Sequence, residues 1–200
     1  LVYLAAENIY MGGDCEHAIS SLGSYIESFP AGSYLLNAHF YKAECQLKSR
    51  DLSNALVSLN YVIRQARNPF TVPAVLAASR INYSSESYAA ALENYLMLDG
   101  LAETRLHTIE ARTGKLRCYY LLEEYANSID AARVLLGDEF IAVELKREAH
   151  YKIAKSFLAQ DRFALALEEF KIVSGDARTV EGAESKYRVA ELLFVRKEYD

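Results

Sequence analysis

The chain has 200 residues, of which 52% are hydrophobic, and a formal net charge of -5. Three prolines and nine glycines are too few for a loop-rich or all-β fold and favour long helices. The acidic balance gives no global attraction to nucleic acid or anionic lipid, and no apolar run reaches the roughly 18 residues that a membrane span needs.

Taken in chain order, the pattern predicts eleven helices. The first runs from residue 1 to about Tyr10 and the second from about Cys15 to Glu27, closing at Phe29-Pro30, where proline cannot continue a helix. Ser33 or a neighbour opens the third, which extends to about Lys48, and Asp51 or Ser53 caps the fourth, to about Arg67. Asn68-Pro69 breaks the chain and Pro73 marks a first helical turn. Further helices are expected at roughly 73–84, 87–98, 104–121, 124–136, 141–159, 162–173 and 178–197.

The second helix of each pair opens with a recurring motif: Cys15-Glu16-His17-Ala18, Leu52-Ser53-Asn54-Ala55, Tyr88-Ala89-Ala90-Ala91, Tyr125-Ala126-Asn127-Ser128 and Phe163-Ala164-Leu165-Ala166. Its small residues recur at intervals of 37, 36, 37 and 38. A fixed period of this size is the signature of a stacked-repeat architecture, in which one repeat cannot bury its own apolar face. A second set of small residues keeps the same phase in the first helices: Ala38, Ala74, Ala111 and Ala149, then Ala6, Ala43, Ser79 and Ala154, with Leu116 as the exception. Small side chains at fixed phase let paired helices approach closely.

This pattern resembles the tetratricopeptide repeat. Its skeleton is a small residue in the first helix (Ala6, Ala43, Ser79, Ala154 and Ala190), an aromatic three places on (Tyr119, Phe157), a Gly-Asp-Tyr turn and then Ala. Gly13-Asp14 matches that turn literally; Tyr88, Tyr125 and Phe163 fill its aromatic position, Ala18, Ala55, Ala91 and Ala166 its alanine, and Pro30 the closing proline. The chain departs from the family in a period near 37 rather than 34 and in the loss of most closing prolines. The resemblance implies an all-α fold: a right-handed α-solenoid of about 5.5 helix-turn-helix repeats in one domain, at approximately 1–33, 34–70, 71–106, 107–144, 145–181 and a partial 182–200. The long period and the Phe29-Pro30-Ala31-Gly32-Ser33-Tyr34-Leu35-Leu36-Asn37-Ala38 junction also look like bacterial envelope members linked to the Tol-Pal system and outer-membrane assembly. That likeness implies a bacterial periplasmic or outer-membrane-associated adaptor, with a cytoplasmic adaptor as the alternative. The chain starts inside a helical pattern without Met, and Lys197-Glu198-Tyr199 echoes Glu123-Glu124-Tyr125, so a piece of a longer protein is expected.

Three cysteines do not make a disulfide framework. Cys45 and Cys118 share a phase two repeats apart, too distant to bridge, and all three read as small buried hydrophobes. An oxidising compartment is neither required nor excluded. The chain has no phosphate loop, HExxH, CxxC or GxSxG motif, and His17, His39, His107 and His150 have no partners at ligand spacing, so no enzyme, metal or cofactor is expected. His39 and His150 share a repeat phase, which favours packing.

The resemblance also implies that the first helices line a concave groove. Directly after the small residue stand Glu7, Glu44, Arg80, Arg117, Lys155 and Glu191; three before it stand Tyr3, Phe40, Leu76, Thr113, Tyr151 and Tyr187. A basic middle with aromatics alongside suits a protein or peptide bearing acidic or carboxylate groups, contacted by Arg80, Arg117 and Lys155 with Phe40, Tyr151 and Tyr187. Two bland readings stand beside it: the cations pair with neighbouring Glu or Asp, and the aromatics are core. Chaperone-binding members grip a C-terminal carboxylate with Lys three places before the small residue and Asn directly after it, and this chain has no Lys at the first position and no Asn at the second. The expected function is a non-enzymatic interaction scaffold that binds no nucleic acid and inserts in no membrane. Its rivals are a structural spacer that self-associates through uncapped apolar ends, and a regulatory domain of a larger protein.

Overall fold

The computed structural model describes residues 1–196, with backbone alone for 195 and 196. Among the described residues the regular elements are eleven α-helices: α1 (Val2–Met11), α2 (Cys15–Ser28), α3 (Leu35–Lys48), α4 (Leu52–Ile63), α5 (Thr71–Ser84), α6 (Tyr88–Leu101), α7 (Arg105–Leu121), α8 (Tyr125–Leu136), α9 (Val143–Ala159), α10 (Phe163–Val173) and α11 (Val180–Arg196). The expected end of the last helix at residue 197 lies outside the described residues. Two boundaries differ by several residues from the sequence expectation. Helix α4 stops at Ile63, and the chain then turns through Asn68, whose side chain accepts from the Phe70 amide (2.9 Å) while its own amide donates to Thr71 Oγ1 (2.9 Å). Helix α6 runs on to Leu101.

The described residues gather into two compact units, divided between Leu101 and Ala102. Unit 1 holds the pairs α1–α2, α3–α4 and α5–α6. Unit 2 holds α7–α8, α9–α10 and α11. Inside each unit a second helix packs on its own first helix and on the next: α2 on α3, α4 on α5, α8 on α9 and α10 on α11. First helices also touch directly, α1 with α3, α7 with α9 and α9 with α11.

The motif residues make this packing possible. Ala18, Ala55, Ala91, Ser128 and Ala166 are all fully buried at 0% exposure, as are Ala38, Ala74, Ala111 and Ala149. Without a side chain beyond Cβ or Oγ, these positions let helix axes close up. Leu116, the exception in the pattern, is accommodated at 0% exposure in the core of unit 2, beside Ala132, Phe157 and Phe170. Unit 1 has two clusters, one around Tyr3, Leu22, Tyr25 and Ala38, the other around Phe40, Leu59, Val62 and Ile81. Ala190 holds the phase of Ala6, Ala43, Ser79 and Ala154 but is exposed, because among the described residues α11 is packed by α9 and α10 and has no second helix of its own pair.

All five turns inside the pairs use one device. Gly13, Arg50, Glu86, Glu123 and Asp161 adopt positive φ, between 57 and 83°. Each follows a helix end closed by paired backbone bonds, such as Glu123 N–H to Tyr120 O (3.1 Å) and Glu124 N–H to Tyr119 O (2.9 Å). Only Gly13 is free of the steric cost of this conformation, since the other four carry a Cβ. The second helix is then capped where the sequence allows: Asp14 accepts from His17 N–H and Asp51 from Asn54 N–H, and Thr104 caps the first helix α7 in the same way, accepting from His107 N–H. At the Pro30 junction a methyl on Gly32 would overlap the Tyr25 hydroxyl, which accepts from Tyr34 N–H at 3.3 Å.

One cysteine reading is corrected. Cys15 and Cys45 form a disulfide, with Cα atoms 5.0 Å apart, that ties the start of α2 to α3. Equal phase keeps Cys45 and Cys118 two repeats apart, but it does not bear on a cysteine of the neighbouring helix. Cys15 lies 30 residues from Cys45 at a different phase, on the helix that α3 packs against, where bridging distance is geometrically available. Cys118 is buried and free, and burial pushes its thiol up to about 11.

Candidate functional site

The inner seam of each unit is formed where first helices meet. In unit 2 it is built of charge. Arg117 on α7 grips Glu148 on α9 through Nε and Nη2, both at 2.7 Å. Lys155 on α9 reaches Glu184 on α11 at 3.0 Å, and the Tyr151 hydroxyl donates to the same carboxylate. Lys152 lies over the Tyr120 ring, 4.2 Å from its centroid. Arg188 donates to Glu191 at 2.7 Å. Burial alone would push the Glu148 carboxyl up, but the Arg117 guanidinium outweighs it and holds the group below the ordinary 4.5. Glu184 is likewise lowered, first by the Tyr151 hydrogen bond and then by Lys155. Desolvation lowers Lys152, while the Tyr151 phenol is raised by burial and by Glu184.

In unit 1 the seam is aromatic. Tyr3 stacks on Tyr34 (centroids 4.4 Å apart), Tyr10 on Tyr41 (4.3 Å) and Phe40 on Phe70 (4.5 Å). The hydroxyls of Tyr3 and Tyr10 donate to Glu7 (2.6 Å) and Glu44. His39 stacks on Tyr61 at 3.8 Å, and burial lowers its imidazole to about 4.

The predicted contact residues are thus distributed. Arg117, Tyr151, Lys155 and Tyr187 lie on α7, α9 and α11 of unit 2, the first three within this ion-pair row. Tyr187 is 63% exposed, with the Arg188 guanidinium 5.8 Å from its ring centroid. Arg80 is exposed on α5 of unit 1, and Phe40 lies in that unit's core at 8% exposure. Sequence reasoning missed the acids that complete the row. The signal for them was present: Glu148 lies 31 residues beyond Arg117 and Glu184 lies 29 beyond Lys155, one helix turn and a half before the next repeat's small residue.

Other polar clusters are modest. His150 Nδ1 lies 2.7 Å from a Glu169 carboxylate oxygen at the edge of an open cleft of about 340 Å³ between α9 and α10, which is lined also by Val143, Lys146, Arg147 and Ile172. Glu168 pairs with Lys171 at 3.1 Å on an exposed face. Among the described residues no group of three or more His, Cys, Asp or Glu side chains is placed to hold a metal ion, and no helix is long and apolar enough to cross a membrane.

No protein-family model and no curated protein matches the chain. Solved structures do. A tetratricopeptide repeat protein from Parabacteroides merdae superposes with a TM-score of 0.60 at 16% identity, over 98% of this chain and 73% of that one. MamA AMB-1 gives 0.64 at 15% identity, over 90% and 92%. The P58(IPK) TPR domain gives 0.53 at 13% identity, over 98% of this chain and 56% of that one. At such identities the likeness lies in the fold, which is that of the tetratricopeptide repeat.

Proposed function

We propose that this chain, an all-α protein of tetratricopeptide-repeat fold, is a non-enzymatic scaffold that holds a protein or peptide against the exposed faces of its first helices. Proteins of this fold serve protein–protein interaction in general. The observation that carries the reading is the row on α7, α9 and α11, where Arg117, Tyr151, Lys155 and Tyr187 alternate charge with aromatic surface. Arg and Tyr are types that dominate binding energy at interfaces. Because Arg117 and Lys155 already hold carboxylates, a partner's acidic group competes with Glu148 and Glu184 for them, and the preference for an acidic or carboxylate-bearing segment is correspondingly modest. Arg80 and Phe40 would serve unit 1, Phe40 by supporting the aromatic seam from within. The likeness of the Phe29–Ala38 junction to bacterial envelope members supports a periplasmic or outer-membrane-associated scaffold under this reading, with a cytoplasmic adaptor as the alternative.

Affinity capture from source cells tests it, with wild type against Tyr187→Ala combined with Lys155→Ala. A partner lost from the variant supports this face, provided that the variant keeps the helical circular dichroism of the wild type. A partner retained on both moves the site elsewhere. Self-association through the ends is favoured by a different observation: Leu1, Val2 and Leu4 on one side and Val180, Tyr187 and Phe194 on the other are all at least 49% exposed. Sedimentation over a concentration series decides that reading, and a constant monomer mass rejects it.

A further inference from the structure

Repeats two to five open their second helix with a large side chain: Leu52, Tyr88, Tyr125 and Phe163. Two of these pack back onto their own first helix, Tyr88 edge-on to Tyr83 at 5.7 Å and Tyr125 edge-on to Tyr120 at 6.1 Å. The first repeat has Cys15 in that place, and its sulfur is bonded forward, to Cys45 of α3.

The bridge acts between two repeats. Helices α1 and α2 pack on each other and on α3, and the Cys15–Cys45 bond joins α2 to α3 across that contact. The surface that opening would expose is apolar and includes Leu22, Ala38 and the Tyr10–Tyr41 stack.

We propose that the Cys15–Cys45 bridge is a redox-controlled clamp on the first helix pair, closed in an oxidising compartment and opened by thiol reductants. The two sulfurs are unequally placed. Cys45 is fully buried, whereas Cys15, at the first turn of α2, is only partly buried. An incoming thiolate RS⁻ therefore attacks the less buried Cys15 sulfur and Cys45 leaves as thiolate; a second RS⁻ then attacks the Cys15–S–SR mixed disulfide, releasing the Cys15 thiolate and RS–SR. Closing runs the other way: the Cys15 thiolate attacks a donor disulfide RS–SR and releases RS⁻, and the Cys45 thiolate then displaces the second RS⁻. The cysteine pair gives up two electrons and two protons, and the donor leaves as two RSH. Cys118, buried and free on α7, is the internal control.

The test takes the chain produced in an oxidising compartment, denatures it without reductant, alkylates it and maps its peptides by mass. The expected result is one linked pair containing Cys15 and Cys45, with Cys118 alone alkylated. Amide exchange is then followed with and without a dithiol reductant. Reduction is expected to speed exchange in α1 and α2 by roughly 100-fold. Cys15→Ser should match the reduced wild type without any reductant, and Cys118→Ser should match the oxidised one. Alkylation of Cys15 and Cys45 in unreduced protein overturns the proposal. So does a linked protein whose α1 and α2 amides ignore the reductant, an arm that needs no variant to fold.

Discussion

In unit 1 the first helices meet through rings: Tyr10 lies on Tyr41 at 4.3 Å, and Phe40 on Phe70 at 4.5 Å. In unit 2 they meet through ions: Arg117 with Glu148 at 2.7 Å, and Lys155 with Glu184 at 3.0 Å. The buried interior is otherwise alike in both, with small residues at the same phases and the same positive-φ turn in every pair. The difference teaches that the repeat motif prescribes how a second helix seats on a first. It leaves the chemistry of the seam between first helices open. An aromatic seam depends on burial and is indifferent to salt, whereas a charged seam is screened by salt and depends on protonation.

The largest expected effect tests the shared interior. Phe170 is fully buried in unit 2 and meets Tyr151 edge-on at 6.3 Å. Phe170→Ala should cost about 3–5 kcal/mol by urea denaturation, with the loss of amide protection greatest in α9 and α10. A loss below about 1 kcal/mol would mean that the site collapses or that the ring is not buried.

The next effect separates the seams by pH. Glu148 and Glu184 have folded values below the ordinary 4.5, so their contribution is present above that value and is lost as pH falls through the lower folded one. His39 in unit 1 has a folded value near 4 against 6.5, so its neutral packing contributes fully above 6.5 and is lost between 6.5 and 4. Unit 1 should therefore loosen first on acidification and unit 2 later, as followed by amide exchange. His39→Phe should flatten the unit 1 slope and leave that of unit 2 unchanged. Glu148→Gln should cost about 1–2 kcal/mol at neutral pH, less at high salt, because it breaks a half-buried bidentate pair. Equal pH profiles for both units would erase the distinction.

The smallest effect is a gain that should be common to both units. Arg50 in unit 1 and Glu123 in unit 2 hold φ near 60° with a Cβ in place. Replacing either with Gly should stabilise by about 0.5–1 kcal/mol, read as a rise in Tm, since Gly relieves that conformation but adds entropy to the unfolded chain. A gain in one unit alone would show that the turns are not equivalent.

Periodicity made the helix pairs legible, and the reason is local. Fully buried Ala18, Ala55, Ala91, Ser128 and Ala166 must be small wherever two helices touch, so their spacing is written along the chain. The phase of Arg117, Lys155 and Tyr151 could be read in the same way, and so could the absence of catalytic motifs. What those side chains do was decided by neighbours about 30 residues away. Glu148 and Glu184 pair with Arg117 and Lys155, Phe70 stacks on the buried Phe40, and Cys45 finds Cys15. Each of these contacts crosses from one repeat to the next, where the spacing varies by a residue or two and the side chains on the facing helix follow no repeat. Only packing the helices in three dimensions decides which charge, ring or sulfur meets which.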